Sequence, residues 1–237
     1  MLDKIDFKKC FYNKKILITG SSTGLGLACV NQFLGLGANV FATSFKNSKN
    51  FIKLKKKFKK KFDYFEGDFS KIVNVKNLYN NYKLKNKNVD VIIHTLGGGF
   101  GLTSHLIDND DFIKLFNLNL GVSAEINRLF LTSFNKKGGN IMHVGSTASV
   151  QAIGSVGYNT VKTGLKAYVK SFSRKVINKN IVVNSILPGA FIAPHNHFYR
   201  KKKTNIKEFN KFQNKIVSNK ILTYKELIPM ILLITSK

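Results

Sequence analysis

Tyr158 and Lys162 stand four residues apart in a stretch, Tyr158 to Ile177, whose apolar spacing is helical, so one turn of helix puts both side chains on the same face. An ammonium beside a phenol favours the phenolate and lowers a pKa that is about 10 in the free side chain. A phenol tuned in this way can give a proton to, or take one from, a reacting oxygen. Ser146 ends an apolar run, Gly139 to Ser146, that reads as a strand, and its hydroxyl can stand beside that phenol. The three groups can hold a carbonyl oxygen and protonate it while a hydride arrives at the carbon. An isolated Tyr-x-x-x-Lys arises often by chance, so the remainder of the chain decides its meaning.

The hydride needs a carrier, and residues 16–26, Ile-Leu-Ile-Thr-Gly-Ser-Ser-Thr-Gly-Leu-Gly, read as a strand, a phosphate-binding turn and the start of a helix. Gly20 can take backbone angles closed to other residues, Gly24 lets the backbone approach a pyrophosphate, and Gly26 lets the helix sit close on the strand. Backbone N–H groups of Ser22, Thr23, Gly24 and Leu25, aided by the helix dipole, would face the anion. The helix, Leu27 to Leu36, is closed by Gly35 and Gly37, and Ala38 to Thr43 is a second strand. A cofactor with a free ribose 2′-hydroxyl wants an acid near the end of this strand, roughly 20 residues beyond the glycines. Here stand Ser44, Phe45 and Lys46, and the missing carboxylate with the nearby lysine favours a 2′-phosphate, hence NADP over NAD.

Four more strands follow. Tyr64 to Asp68 ends in an acid, and Val89 to Leu96 runs into the glycines 97–99 and 101, at the strand end where open α/β sheets bind ligands. Asp111 to Phe134 reads as one long helical stretch carrying Asn119. The strand ending at Ser146 is the fifth, and Ile181 to Leu187, stopped by Pro188-Gly189, is the sixth. This alternation gives an α/β fold, one Rossmann-type doubly wound parallel sheet flanked by helices, in a single domain over residues 1–237 with a substrate loop at about 189–215.

With these pieces in order, the chain resembles the short-chain dehydrogenase/reductase family, including members similar to 3-oxoacyl-[acyl-carrier-protein] reductases. The resemblance spans roughly residues 12–234 and rests on Thr19 to Gly26, Asn119, Ser146, Tyr158-Asn159-Thr160-Val161-Lys162, and Asn184 with Pro188-Gly189. It implies that Tyr158 is the acid/base and Ser146 orients the substrate carbonyl. Lys162 would bind the nicotinamide ribose and lower the tyrosine pKa, and Asn119 would hold a water in a proton relay. Asp68 would touch the adenine, Gly97 would line the cofactor pocket, and the Pro188-Gly189 backbone would lie beside the nicotinamide. It also implies a homodimer through the helices carrying Asn119 and Tyr158.

The chain departs from the family in several places. The usual Asn-Asn-Ala-Gly is His94-Thr95-Leu96-Gly97, the Ser146 to Tyr158 spacing is slightly short, and the threonine expected after Pro-Gly is absent from residues 190–193. The family's last C-terminal strand is not expected here, because residues 228–237 stop where it would begin. These changes leave a non-catalytic NADP-binding or regulatory protein on the same fold as the alternative. An extended-family epimerase is disfavoured, since the chain has no room for its longer substrate domain.

Composition sets the remaining bounds. The net charge of +27 raises nucleic acid as a partner, yet it comes from 36 lysines spread along the chain against three arginines. The densest run, Lys53 to Lys61, carries Leu54 and Phe58 at helical spacing with Phe51 and Phe62, so it reads as the solvated face of a surface helix rather than a nucleic-acid site. The Met1 to Lys15 segment is polar and lysine-rich, no run has the length of a membrane span, and Cys10 and Cys29 fit no metal or disulfide pattern, so a cytoplasmic protein is expected. His195 and His197 lack acidic or cysteine partners and read as loop residues rather than metal ligands. Next to them, Arg200 to Lys203 would attract an anionic handle on a small carbonyl or alcohol substrate.

Overall fold

The computed structural model describes residues 5–46, 48–216 and 218–236, so residues 1–4 of the lysine-rich N-terminal segment and Lys237 lie outside it. A short helix α1 (Phe7–Phe11) leads to β1 (Lys15–Thr19), α2 (Gly24–Gly35), β2 (Asn39–Ser44) and α3 (Lys49–Phe58). Then come β3 (Phe62–Glu66), α4 (Val73–Lys85), β4 (Val91–His94), α5 (Asn109–Phe116), a wide π turn (Asn117–Gly121) and α6 (Val122–Phe130). β5 (Gly139–Val144), α7 (Ala148–Gln151), α8 (Val156–Val176) and β6 (Ile181–Ile186) complete the main sheet. The rest is β7 (Phe191–Ile192), α9 (His197–Thr204), α10 (Ile206–Gln213), β8 (Leu222–Thr223) and α11 (Ile228–Thr235).

Six parallel strands lie in the order β3-β2-β1-β4-β5-β6, and β6 is the edge, with no seventh strand beside it among the described residues. Strand side chains alternate between two covered faces, which is why β1, β2 and β4 are apolar nearly throughout. Ile16, Ile18, Val40, Ala42 and Ile93 meet α1, α2, α3 and α11 on one face. Leu17, Phe41, Ile92 and Ile141 meet α4, α6 and α8 on the other. The strand order reverses between β1 and β4, and the carboxyl ends at such a reversal are where open α/β sheets bind ligands.

Several element bounds differ from the sequence reading, each for a local reason. The second strand continues to Ser44, and the third is Phe62–Glu66, which leaves Asp68 two residues beyond it in a turn. The stretch expected as one helix over 111–134 begins at Asn109, where the Asp108 side chain caps the Asp111 N–H, is interrupted by the π turn, and ends at Phe130. Helix α4 was hidden by its asparagines and lysines; Val75, Leu78 and Tyr82, at spacings of three and four, are buried against the sheet. The lysine-rich run forms α3 as expected, with Phe51 and Leu54 inward, Lys55 paired with Asp63 at 3.4 Å, and Lys61 donating to the Gly37 carbonyl. The substrate-loop region is not plain loop: α9, α10 and the small parallel β7–β8 pair occupy it.

Candidate active site

The glycine turn shows why these positions lack side chains. Gly20 has φ +63°, and a Cβ there would come within 2.7 Å of the Leu96 backbone. A Cβ at Gly26 would meet the Thr95 hydroxyl at 2.5 Å and the Gly20 carbonyl at 2.7 Å. Thr95 itself donates to the Thr19 carbonyl at 2.6 Å, so the departure at 94–96 is built into the underside of the turn. Thr23, the residue before α2, makes no side-chain cap, so the first amides of the helix are left for an external acceptor. Gly24 (φ +55°) faces Ala193, whose Cβ lies 3.4 Å from the position a glycine Cβ would take, so the segment after Pro188-Gly189 crosses over the turn. Ser22 is tied by its carbonyl to the Asn50 side chain. The turn therefore fits a pyrophosphate, with backbone donors exposed and side chains excluded.

Beside the turn, four elements converge. Lys162 on α8 is buried, and its Nζ donates to the Val144 carbonyl at the end of β5 at 3.1 Å. A Cβ at Gly97 would lie 2.7 Å from Asn119 Oδ1 and 3.2 Å from Lys162 Nζ, which brings β4's glycines, the π turn and α8 together. Asn119 is clamped: Oδ1 accepts from the Gly98 N–H at 2.9 Å, and Nδ2 donates to the Gly98 and Leu115 carbonyls at 2.9 Å each. Wide helical turns of this kind recur where function needs a displaced side chain. Ser146 follows β5, and its Oγ accepts from the Ala148 N–H at 3.1 Å while facing the Tyr158 phenol. Thr147 N–H donates to the Pro188 carbonyl at 3.0 Å, which sets Pro188-Gly189 alongside Ser146.

The electrostatics differ in one respect from the sequence expectation. Lys162 Nζ lies 5.7 Å from the centroid of the Tyr158 ring, yet the phenol is not lowered. Burial pushes the Tyr158 pKa up, and the Ser146 hydroxyl offsets only part of that rise. Lys162 pays the same desolvation, and its pKa falls to about 8. The pair is therefore a neutral phenol beside a lysine poised to lose its charge.

The adenine-end candidates stand apart from this group. Lys46 is exposed just past β2, with Nζ 5.6 Å from the Phe45 ring. Asp68 accepts from the Ser70 N–H and hydroxyl, as a turn-capping residue does, and those bonds hold its carboxyl below the usual range. Sequence reasoning missed Glu66. The end of β2 carries no acid of its own, but Glu66, opposite Ser44 in the β2–β3 register, accepts from the Ser44 hydroxyl at 3.2 Å and the Ser48 N–H at 3.0 Å. The register could have located it, and the sequence spacing alone does not. The basic cluster is also less free than expected: Lys201 pairs with Glu208 at 3.1 Å, Lys203 lies over Tyr199, Lys202 over Phe209, and Arg200 donates to the His195 carbonyl. His195 and His197 flank Asn196, which caps α9.

A sheet whose strand order reverses beside such a turn defines a class, the dinucleotide-binding α/β proteins. Within that class the chain belongs to the short chain dehydrogenase family, whose sequence profile matches residues 14–204, and it is an NAD(P)-dependent oxidoreductase. It is 25% identical over 180 residues to a 3-oxoacyl-[acyl-carrier-protein] reductase of Chlamydia pneumoniae, covering 74% of this chain and 73% of that one. A Buchnera aphidicola protein of the same description is 25% identical over 232 residues, 93% of this chain and 88% of the relative. A 7alpha-hydroxysteroid dehydrogenase of Bacteroides fragilis is 25% identical over 203 residues, 78% and 74% of the two chains. Among solved structures, L-sorbose reductase from Gluconobacter frateurii, complexed with NADPH and L-sorbose, superposes with a TM-score of 0.84 at 22% identity over 95% of this chain and 90% of that one. A 3-oxoacyl (acyl-carrier-protein) reductase from Agrobacterium tumefaciens with NADP bound gives 0.87 at 17% identity over 98% and 92%. Among the described residues no helix is long and apolar enough to cross a membrane.

Proposed function

We propose that the protein is an NADP-dependent reductase or dehydrogenase acting on a carbonyl/secondary alcohol pair, with Tyr158 as its acid/base. The observation that carries this reading is the convergence of Tyr158, Ser146, Lys162 and Asn119 beside the glycine turn. Gly20, Ser22, Thr23, Gly24, Leu25 and Gly26 would hold the pyrophosphate, Lys46 the 2′-phosphate, and Asp68 the adenine. Gly97, Lys162 and the Pro188-Gly189 backbone would surround the nicotinamide end, which supplies or accepts a hydride at the substrate carbon. The Ser146 hydroxyl donates to the carbonyl oxygen and orients it toward Tyr158. Burial keeps the Tyr158 phenol protonated at neutral pH, as a donor must be when the substrate oxygen gains negative charge. Once the proton leaves, the nearby Lys162 ammonium stabilises the phenolate. Asn119, clamped to Gly98, holds the position from which a water could return a proton to Lys162.

Exposed Phe100, Leu106, Val150, Ile153 and Val156 lie on the segments that follow β4 and β5, Val150 in α7 and Val156 at the start of α8, and the two segments are joined by the Ser155 hydroxyl donating to the Leu102 carbonyl. They support a substrate with an apolar body, such as a 3-oxoacyl thioester, the class named for several relatives. Arg200 to Lys203 would receive an anionic handle on it. A cytoplasmic homodimer joined through the helices bearing Asn119 and Tyr158 completes the proposal, and residues 1–237 form one domain. The test is an NADPH-oxidation screen over ketones, keto sugars and 3-oxoacyl thioesters. Activity should appear and fall by about 10³-fold or more in Tyr158→Phe; activity that survives the substitution refutes the acid/base assignment. NADPH binding without turnover of any carbonyl would favour the non-catalytic alternative.

A further inference from the structure

Two histidines lie fully inside the protein, one of them close enough to Lys162 to feel its charge, and the reaction scheme above makes no use of them. His94, the last residue of β4, and His143 in β5 are register partners whose rings stack with centroids 4.5 Å apart and planes 27° apart. Asn127 of α6 stands between them. Its Oδ1 is 2.9 Å from His94 Nε2, and its Nδ2 is 3.3 Å from His143 Nε2 and 3.1 Å from the Tyr168 hydroxyl of α8. The Thr19 hydroxyl is 3.5 Å from His94 Nδ1, at the threshold of the glycine turn.

The donor pattern assigns the hydrogens. An amide oxygen only accepts, so His94 carries its hydrogen on Nε2; an amide nitrogen only donates, so His143 Nε2 is bare and its hydrogen sits on Nδ1. The two Nε2 atoms that face Asn127 are thus in opposite states, one carrying a hydrogen and the other bare. That leaves His143 Nδ1–H buried with no partner among the described residues. Among the described residues the groups facing the rings are Thr19 from β1, Asn127 from α6, and Tyr168 and Lys162 from α8, and none of these is a carboxylate that could neutralise an imidazolium. Burial first, then the neighbouring His94 and Lys162, hold His143 well below its ordinary pKa, and burial takes His94 to about 4.

The network joins the strand on which Lys162 rests to the helix that carries it. Among the described residues Lys162 Nζ donates to one acceptor, the carbonyl of Val144, and Val144 follows His143 directly. Tyr168 lies six residues beyond Lys162 on α8. We propose that the His94–Asn127–His143–Tyr168 chain positions Lys162, fixing where its ammonium sits and how dry its surroundings are. The proposal rests on the oxidoreductase reading for what Lys162 does, and on the hydrogen-bond geometry for where it is held. These four are positioning residues, since none touches substrate.

Two measurements test it. Nitrogen NMR of the full chain should find both rings neutral from pH 5.5 to 8, with His94 protonated on Nε2 and His143 on Nδ1, and this readout does not depend on turnover. A shared tautomer, or a charged ring at pH 7, overturns the network. In His143→Ala the space left beside Lys162 admits water, so its ammonium becomes easier to hold and its pKa, read by NMR and as the alkaline limb of kcat, rises by at least about half a unit. The kcat falls about tenfold while KM for the carbonyl stays within about threefold, because a misplaced group costs rate rather than affinity. His143→Gln, which fills the space and still accepts from Asn127, restores most of both. If kcat falls only in step with melting temperature, with Lys162 ionisation unmoved and Gln no better than Ala, the residues are merely structural. Should His143→Ala fail to fold, Tyr168→Phe, which deletes one hydroxyl, must still move the Lys162 pKa or the proposal fails. A parent protein that reduces no carbonyl would instead sink the oxidoreductase reading, with the NMR result still deciding the network.

Discussion

Lowering the pH from 7.5 to 5 should destabilise the protein through its buried histidines. His94 has its pKa moved from 6.5 to about 4, with desolvation as the first cause and the Asn127 hydrogen bond opposing it. A folded-state pKa below the unfolded one means that the unfolded chain binds more protons between those values. Stability is then full above pH 6.5 and is lost as pH falls toward 4. At 1.36 kcal/mol per pKa unit, His94 alone costs about 2 kcal/mol by pH 5 and roughly 3 kcal/mol once both states are protonated. His143 shifts in the same direction and adds to the slope, and exposed His197 contributes weakly with the same sign. Asp63, Asp68 and Glu125 all have folded pKa values below their ordinary ones, so their contributions are lost only at lower pH. Urea denaturation at pH 7.5, 6 and 5 reads the slope directly. His94→Asn keeps an amide in place of the ring and cannot titrate in this range, so its loss of stability between pH 7.5 and 5 should be smaller by about 2 kcal/mol. Equal slopes in parent and variant, or a parent more stable at pH 5, would refute the buried neutral assignment.

Four further outcomes follow from the same geometry. Lys162→Met removes a buried ammonium whose pKa is depressed from 10.5 to about 8, a cost carried at every pH below 8, so unfolding at pH 7 should require roughly 2–3 kcal/mol more while carbonyl reduction is lost; a variant less stable than the parent speaks against that cost. Gly20→Ala, at φ +63° with the Leu96 backbone 2.7 Å from the new methyl, should lose about 1–2 kcal/mol to strain alone and bind NADPH at least about tenfold more weakly by fluorescence titration. Gly35→Ala, with open space at the end of α2, should instead gain about 0.5–1 kcal/mol in a thermal melt. Lys46→Asp should shift the NADPH/NADH ratio of kcat/KM toward NADH by about tenfold or more, and Glu66→Gln should shift it the other way; a ratio unmoved by either places the 2′-phosphate contact elsewhere.

The sequence was most legible where chemistry demands particular residues at particular spacings. Gly20 and Gly26 could be assigned because a side chain there would collide with the Leu96 backbone and the Thr95 hydroxyl, and Gly24 because its φ of +55° disfavours any side chain. The buried strands were legible through their apolar runs. What escaped was whatever depends on contacts across the sheet. Glu66 belongs to β3 in sequence but stands at the end of β2 in space, so a search for an acid along β2 alone could not find it. The break at Asn117–Gly121 leaves no mark in the apolar spacing of 111–134, because α5 and α6 keep the same inward face on either side of it. His94 looked like a plain departure from Asn-Asn-Ala-Gly, and only its register with His143 shows that the departure comes as a pair. The sign of the Tyr158 shift escaped for a different reason. Spacing places an ammonium near a phenol, but desolvation acts on both groups, and with Nζ 5.7 Å from the ring and bound to Val144 it outweighs their attraction. A residue pair four apart on a helix therefore predicts which groups meet, whereas the protonation they adopt is set by the dry wall of strands and histidines behind them.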